Sequence, residues 1–298
     1  MSIVKSISVG EGDMFYIKHG SENFTIIDCC MDDDNKDRIV KELKLEKKDK
    51  EVLRFISTHP DDDHIKGIKY LDEKISIVNF YCVKNEAAKS DETDDFLKYC
   101  ELRDSVEKAF YIEKGCKRKW MNESGPDKNG KQIDSSGINI LWPIPSNQKY
   151  KDALKVAKDG GDPNNISPII KYSLSNGATI LWMGDLKSDF MKSIKDVLQL
   201  PKVHILFAPH HGRDSGKIPT ELLETMNPDI IIIGEAKSKH LNYYSGYNTI
   251  TQNSAGDIIL DCITNKVHIY VGSDTYSVDF LDNENMTDYD NYIGTLNL

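Results

Sequence analysis

The chain has no apolar run near the roughly 18 residues that cross a membrane, so no spanning helix is expected. It has no C-x-x-C pair. The six cysteines, Cys29, Cys30, Cys82, Cys100, Cys116 and Cys262, are scattered, which removes zinc-ribbon and thioredoxin readings. Cys29 and Cys30 are adjacent, a spacing that rarely suits a disulfide, so reduced thiols in a cytoplasmic protein are expected. No basic segment followed by an apolar stretch opens the chain, so no signal peptide is expected. Neither a G-x-S-x-G turn nor a P-loop glycine pattern occurs, which leaves serine-hydrolase and nucleotide-triphosphatase readings without support. Positive charge is also short: 38 Lys and Arg stand against 48 Asp and Glu, a net charge of −10. That balance argues against broad non-specific nucleic-acid binding, which needs a basic face. It leaves room for a phosphate held at one point by metal ions.

What is present is a strand-rich chain of 298 residues with helices between the strands. Residues 3–9, 14–17 and 24–27 read as strands broken by Gly10-Glu11-Gly12-Asp13 and Gly20-Ser21. Residues 34–48 read as an amphipathic helix. Residues 52–57 form a short apolar strand running straight into His59, and 75–83 another. Residues 84–136 differ: they are charged, helical in pattern over 94–111, then rich in Gly, Asn, Asp and Ser, and are expected to be an insertion ending in a loop. Strands are expected again at 138–142, 169–174, 179–183, 203–208, 230–233, 257–260, 267–271 and 276–280. Residues 283–298 read as a polar, loosely attached tail. The pattern suits an α/β fold of two packed sheets with helices outside.

The sharpest local signal is Ser57-Thr58-His59-Pro60-Asp61-Asp62-Asp63-His64-Ile65-Lys66-Gly67. Four candidate ligands, His59, Asp61, Asp63 and His64, fall within six residues at a strand end. His59 and Asp61 are two apart and share a face if extended. Two imidazoles and two carboxylates suit Zn²⁺, Mn²⁺ or Fe²⁺ better than calcium. The competing reading is an acidic turn that caps a helix. Two further strand ends weigh against it. Thr179-Ile180-Leu181-Trp182-Met183-Gly184-Asp185 delivers an aspartate, and Ile205-Leu206-Phe207-Ala208-Pro209-His210-His211-Gly212 delivers two histidines. Three such ends suggest convergence at one rim.

The order H-x-[H/D]-x-D-H, then G-D, then H-H-G, resembles the metallo-β-lactamase superfamily. Within it the chain is most similar to the hydrolase domain of competence DNA-uptake proteins and their free-standing relatives. Gly10-Glu11-Gly12-Asp13 followed by Ile26-Ile27-Asp28, and Asn164-Asn165-Ile166-Ser167, resemble segments of that group. The resemblance spans about residues 5–275. It implies a four-layer αββα sandwich, here a single domain over residues 1–282 with the insertion at about 84–136. It implies two divalent ions, Zn²⁺ or Mn²⁺: His59 and Asp61 on one, Asp63, His64 and one of His210 or His211 on the other, with Asp185 bridging. His211 is favoured as the ligand and His210 as a substrate-facing group, and Asp28 would orient a ligand from behind. Asp63, His210 and His240 are the candidate catalytic residues. Asp61 stands where much of the superfamily has histidine, which shifts the metal preference toward Mn²⁺. The stretch Gly234-Glu235-Ala236-Lys237-Ser238-Lys239-His240 departs from the competence group's pattern, which leaves only His240 as a match.

These implications lead to a hydrolase that activates water between two ions, with a phosphodiester (a short nucleic acid or nucleotide) as substrate and no membrane partner. A carboxyl-ester, lactone or thioester hydrolase on the same fold, and a non-catalytic relative, are the alternatives. Lys117-Arg118-Lys119-Trp120 is a basic cluster that could meet a phosphate chain and stack a base. Trp142 and Trp182 are expected in the core, and His19 and His204 are expected to be structural.

Overall fold

A computed structural model describes residues 1–237 and 243–298. The chain lays down six strands of one sheet: β1 (Ser2–Ser6), β2 (Phe15–Lys18), β3 (Asn23–Ile27), β4 (Val52–Ile56), β5 (Phe80–Cys82) and β6 (Ala109–Tyr111). A small hairpin follows, β7 (Gly125–Pro126) and β8 (Gln132–Ile133). The second sheet is β9 (Ile138–Trp142), β10 (Ile169–Ser173), β11 (Thr179–Trp182), β12 (Ile205–Phe207), β13 (Ile230–Ile233) and β14 (Thr249–Thr251). The chain then returns to the first sheet with β15 (Ile258–Ile263), β16 (Lys266–Val271) and β17 (Tyr292–Asn297). The first sheet has the order β17-β16-β15-β1-β2-β3-β4-β5-β6, the second β14-β13-β12-β11-β10-β9.

Burial on both faces explains why the central strands read as continuous apolar runs. In β3, Phe24 and Ile26 pack with Phe55 of β4 under helices α1 (Lys36–Glu46), α3 (Ile68–Lys74) and α4 (Asp94–Asp104), which follow and flank the short α2 (Asp62–Ile65). Ile27 and Ile56 point the other way, into the core shared with the second sheet. Beyond that sheet lie α5 (Gln148–Lys158), α6 (Ser188–Ile194) and α7 (Thr220–Met226), which bury Tyr150, Met191 and Met226, and α8 (Gln252–Ala255) follows β14. The architecture is thus an α/β sandwich of four layers, helices–sheet–sheet–helices, as expected. Trp142 and Trp182 are core residues. No helix among the described residues is long and apolar enough to cross a membrane.

The structure differs from the sequence reading in four places. Residues 276–280 form no strand. Residues 292–297, read as part of a loose tail, pair antiparallel with β16 as β17; only pairing, not local polarity, makes that segment a strand. Residues 94–111 divide into α4 and β6. Helix α5 was not anticipated, although Asn147 caps it by accepting from the Tyr150 N–H at 3.2 Å.

The insertion is tied to the sheets by one buried cation. Arg54 of β4 is fully buried and has no carboxylate partner among the described residues. Its guanidinium donates to the Thr25 hydroxyl (3.1 Å), Ser136 hydroxyl (3.2 Å), Asn23 amide oxygen (3.3 Å) and Trp120 carbonyl (2.9 Å), and lies over the Tyr81 ring. Arg54→Ala removes the filler and leaves several acceptors dry. A loss of about 3–5 kcal/mol of unfolding free energy is expected in urea denaturation. Stability within about 1 kcal/mol of the parent would show that Arg54 does not anchor the insertion.

Candidate metal centre

Strands β3 and β4 are parallel neighbours, as are β11, β12 and β13. Their carboxyl ends therefore open at one rim, the usual place for a site in such sheets. β3 ends at Asp28, β4 at Thr58 and His59, β11 at Gly184 and Asp185, and β12 at Pro209, His210 and His211. Gly184 has φ +50°, and a Cβ there would meet Ser167 at 2.7 Å and Thr58 at 3.1 Å. Only glycine lets β11 turn Asp185 between the two sheets. His210 and His211 both have left-handed φ, +54° and +55°. Two such non-glycine residues in succession are costly, and here they bring both rings to Asp185.

Asp185 is the meeting point. Its Oδ1 lies 3.1 Å from His64 Nε2, and its Oδ2 lies 3.5 Å from His210 Nε2, 3.7 Å from His211 Nε2 and 4.0 Å from His59 Nε2. Asp63 adds its own carboxylate, 3.9 Å from His64 Nε2 and 3.3 Å from His211 Nε2. Ligands on a tetrahedral ion with bonds of about 2.0–2.1 Å stand roughly 3.3 Å apart, so Asp63, His64, Asp185 and His211 are spaced as one cradle. His64 Nε2, His211 Nε2 and Asp185 Oδ1 are buried and make no hydrogen bond. Buried polar atoms are rarely left so. A cation between them would satisfy all three, and the donor set fits a divalent metal.

The rings are aimed by their other nitrogens. Asp28 accepts from the Thr58 N–H (2.7 Å) and hydroxyl (2.6 Å), and its Oδ2 is 2.9 Å from His64 Nδ1. Asp13 Oδ1 is 3.1 Å from His211 Nδ1. Both are carboxylate–histidine pairs of the kind that hold a metal ligand in orientation. Asp13 has an oxygen within 4.8 Å of ligand atoms of His64, Asp185 and His211, but its place on Nδ1 makes it a support. The Gly10-Glu11-Gly12-Asp13 turn is held by Glu235, which accepts from the Gly10 N–H and, at 2.9 Å, from the Ser8 hydroxyl. A Cβ on Gly12 would meet Cys30 Sγ at 2.5 Å. Asp13 and Glu235 are the residues that sequence reasoning did not place; the G-x-G-D turn was the one available signal. His59 Nδ1 lies 3.0 Å from the Thr58 hydroxyl and 3.3 Å from Ser167, and His210 Nδ1 lies 2.8 Å from the Ser215 hydroxyl.

Asp61 behaves differently. It stands at the N-cap of α2 without capping it. Its Oδ1 is 3.4 Å from the Lys89 ammonium, and its Oδ2 accepts from the Asn164 amide at 3.1 Å, with that amide oriented to donate. His240 lies outside the described residues. Lys117, Arg118, Lys119 and Trp120 are far from the rim: Trp120 binds Arg54, four residues and about 13 Å of strand before Thr58.

Charge is partitioned within the metal-free site. Burial would depress His64, but Asp185 and Asp28 outweigh it and hold the imidazolium well above its usual range. Burial opposes His211 too, yet Asp13 and Asp185 raise it to about 10. Burial, then the charge on His64, pushes His59 well below the usual value, and burial lowers His210. Asp63 and Asp185 resist burial and titrate below the usual carboxylate range because His64 and His211 face them. The raised His211 contributes stability that is fully present below the unfolded pKa of about 6.5 and is lost as pH rises through about 10, and His64, held up by Asp185 and Asp28, acts in the same direction.

The family model of the metallo-beta-lactamase superfamily matches residues 7–126. That segment carries Asp13, Asp28, His59, Asp63 and His64, but not Asp185 or the histidine pair. The match covers less than half of the chain, and over that segment the chain is similar to that superfamily. Among solved structures the chain is similar to the metallo-beta-lactamase fold protein YhfI from Bacillus subtilis, at 9% identity over 84% of this chain and 96% of that one, TM-score 0.47. It is similar to a CmlA beta-hydroxylase variant at 10% identity over 87% of this chain and 53% of that one, TM-score 0.46. It is similar to a diphosphatase from the PhnP family at 12% identity over 84% of this chain and 94% of that one, TM-score 0.40. No curated protein matches. None of these comparisons singles out the competence DNA-uptake proteins.

Because the carboxylates around His64 and His211 favour their imidazolium forms, an ion bound at their Nε2 atoms should displace protons. Calorimetry of Zn²⁺ binding in buffers of different ionisation enthalpy should show release of about two protons per first ion, and affinity that climbs with pH. Asp13→Asn should cost about 10–100-fold in that affinity. Binding without proton release would place the ion elsewhere.

Proposed function

We propose that the protein is a metal-dependent phosphodiesterase acting on short nucleic acids or nucleotides at the Asp185 rim. The observation that carries this reading is the set of buried, unpartnered atoms on His64, His211 and Asp185, with carboxylates behind both imidazoles. Asp63, His64, His211 and Asp185 would hold one ion. His59, His210 and the second oxygen of Asp185 would hold another, so both histidines of the pair serve as ligands. When bound, such ions supply a Lewis-acid pole and lower the pKa of water.

The protein's own groups supply the rest. Asp28 and Asp13 keep His64 and His211 in the tautomer that leaves Nε2 free. The Ser215 hydroxyl fixes the His210 ring, and Thr58 and Ser167 fix His59. Lys89, beside Asp61 and Asp62 (2.6 Å), places an ammonium at the rim that can meet a non-bridging phosphate oxygen. Asp61, turned to Lys89 and Asn164, ties the segment after β5 to the site. Asp61 as a ligand would favour manganese. With four imidazoles and two carboxylates as donors, Zn²⁺ becomes the better-suited ion. Two ions sharing the Asp185 carboxylate, together with a cationic rim, would favour phosphoryl over neutral acyl substrates.

Zinc-loaded protein should cleave bis-p-nitrophenyl phosphate faster than lactones or thioesters, with a shallow dependence on salt because few phosphates are neutralised. Asp185→Ala should lose both ions and the activity. Asp61→Asn should keep two ions by elemental analysis. Cleavage of lactones or thioesters without any phosphodiester would overturn the substrate class, and loss of an ion in Asp61→Asn would restore Asp61 as a ligand.

A further inference from the structure

A second concavity opens on the same rim. It is a cleft of about 590 Å³ walled by Tyr111, Pro143, Tyr150 and Leu154, with Lys84 and Glu113 among its polar groups. The topology places it relative to the metal centre. In the first sheet β4, β5 and β6 are parallel neighbours, so Tyr111 ends β6 at the rim where β4 delivers His59. In the second sheet β9 and β11 are each antiparallel to β10, so Pro143 leaves β9 at the rim where β11 delivers Asp185. On both sheets the offset is two strands, about 10 Å. The cleft therefore lies on the rim that carries the ligands, about two strands to one side of them. One segment borders both: Lys84 lies at the cleft, and Lys89, five residues on, lies against Asp61.

The walls favour a flat ring with an anionic neighbour. Tyr111 is 40% exposed and closes the end of β6. Lys84 stands over it, 5.7 Å from the ring centre, and makes no ion pair among the described residues. Tyr150 is buried, and its hydroxyl has no hydrogen-bond partner among the described residues. Glu113 has no cationic partner among the described residues and can accept from an exocyclic amine, as a carboxylate does from a base edge. Aromatic walls with one free cation are what single nucleotides and unpaired strands use.

We propose that this cleft is a nucleobase subsite of the groove: a base bearing an amino group stacks on Tyr111, with its phosphate running past Lys84 toward Asp185. The assignment rests on the phosphodiesterase reading for its orientation, but not for its binding. It is tested by titrating the full-length, metal-loaded protein with adenosine 5′-monophosphate and with ribose 5-phosphate, which lacks the base. The nucleotide should bind at least about tenfold more tightly. Tyr111→Ala, at an exposed side chain, and Leu154→Arg, which fills the cleft, should each remove that difference while the bound-metal content stays at two ions. Equal affinity for the two ligands, or a preference that survives both substitutions, would overturn the subsite. Base-dependent binding in a protein that cleaves no phosphodiester would uphold the subsite and overturn the reaction. Phosphodiester cleavage with no base-dependent binding would do the reverse.

Discussion

Asp185 is 1% exposed, and the imidazoles of His59, His64, His210 and His211 stand around it at 3.1–4.0 Å. A carboxylate taken out of water at this depth is strongly disfavoured unless positive charge answers it. The imidazoles of His64 and His211, whose charged forms Asp185 favours, answer it. With metal bound, the ions take over that role. Several expensive local features follow from this one requirement. Gly184 is the residue that lets β11 present Asp185 between Ser167 and Thr58. The left-handed backbone at His210 and His211 is the strain that brings two rings to one oxygen. Asp28 and Asp13 sit behind the two charged imidazoles, so each is held on both sides.

The two ends of the sandwich solve different problems. At the rim, polar groups converge and leave atoms unpartnered, which suits binding. At the other end, Arg54 is buried just as deeply but meets only neutral acceptors, and those acceptors come from the insertion as well as from β3. The first arrangement is open to a ligand and the second is closed by the protein itself. That contrast explains why Lys117, Arg118, Lys119 and Trp120 do not serve the site. Trp120 is drawn to Arg54, Lys117 pairs with Glu123 at 3.3 Å, and Arg118 lies over Phe110. Net charge of −10 is then compatible with an anionic substrate, because the cations at the rim, Lys84 and Lys89, are local.

Much was legible in the sequence, for identifiable reasons. An apolar strand that ends in ligand-type residues is a local pattern, and it occurs at His59, Asp185 and the pair His210 and His211. The two-sheet architecture was legible because strands buried on both faces have unmistakable composition, as Ile230 to Ile233 show. The number of layers followed from the helical segments between them. What local pattern could not reveal was pairing across the chain. Asp13 and His211 are 198 residues apart, and Arg54 and Ser136 are 82 apart. Residues 292–297 carry too little apolar periodicity to declare a strand, and become one by hydrogen-bonding to β16.

Residue type and order determined which groups could carry chemistry: imidazoles and carboxylates at strand ends, glycine before Asp185, and no alternative nucleophile motif. Tertiary structure decided what each group does. Asp61 has the right type and spacing for a ligand, and the fold sets its two oxygens beside Lys89 and the Asn164 amide. His210 and His211 are indistinguishable as letters, and only the fold sets one ring against Ser215 and the other against Asp13. The physical reason is the same in both cases. A side chain's function depends on which partner satisfies each of its polar atoms, and those partners arrive from strands and loops that the linear order keeps far apart.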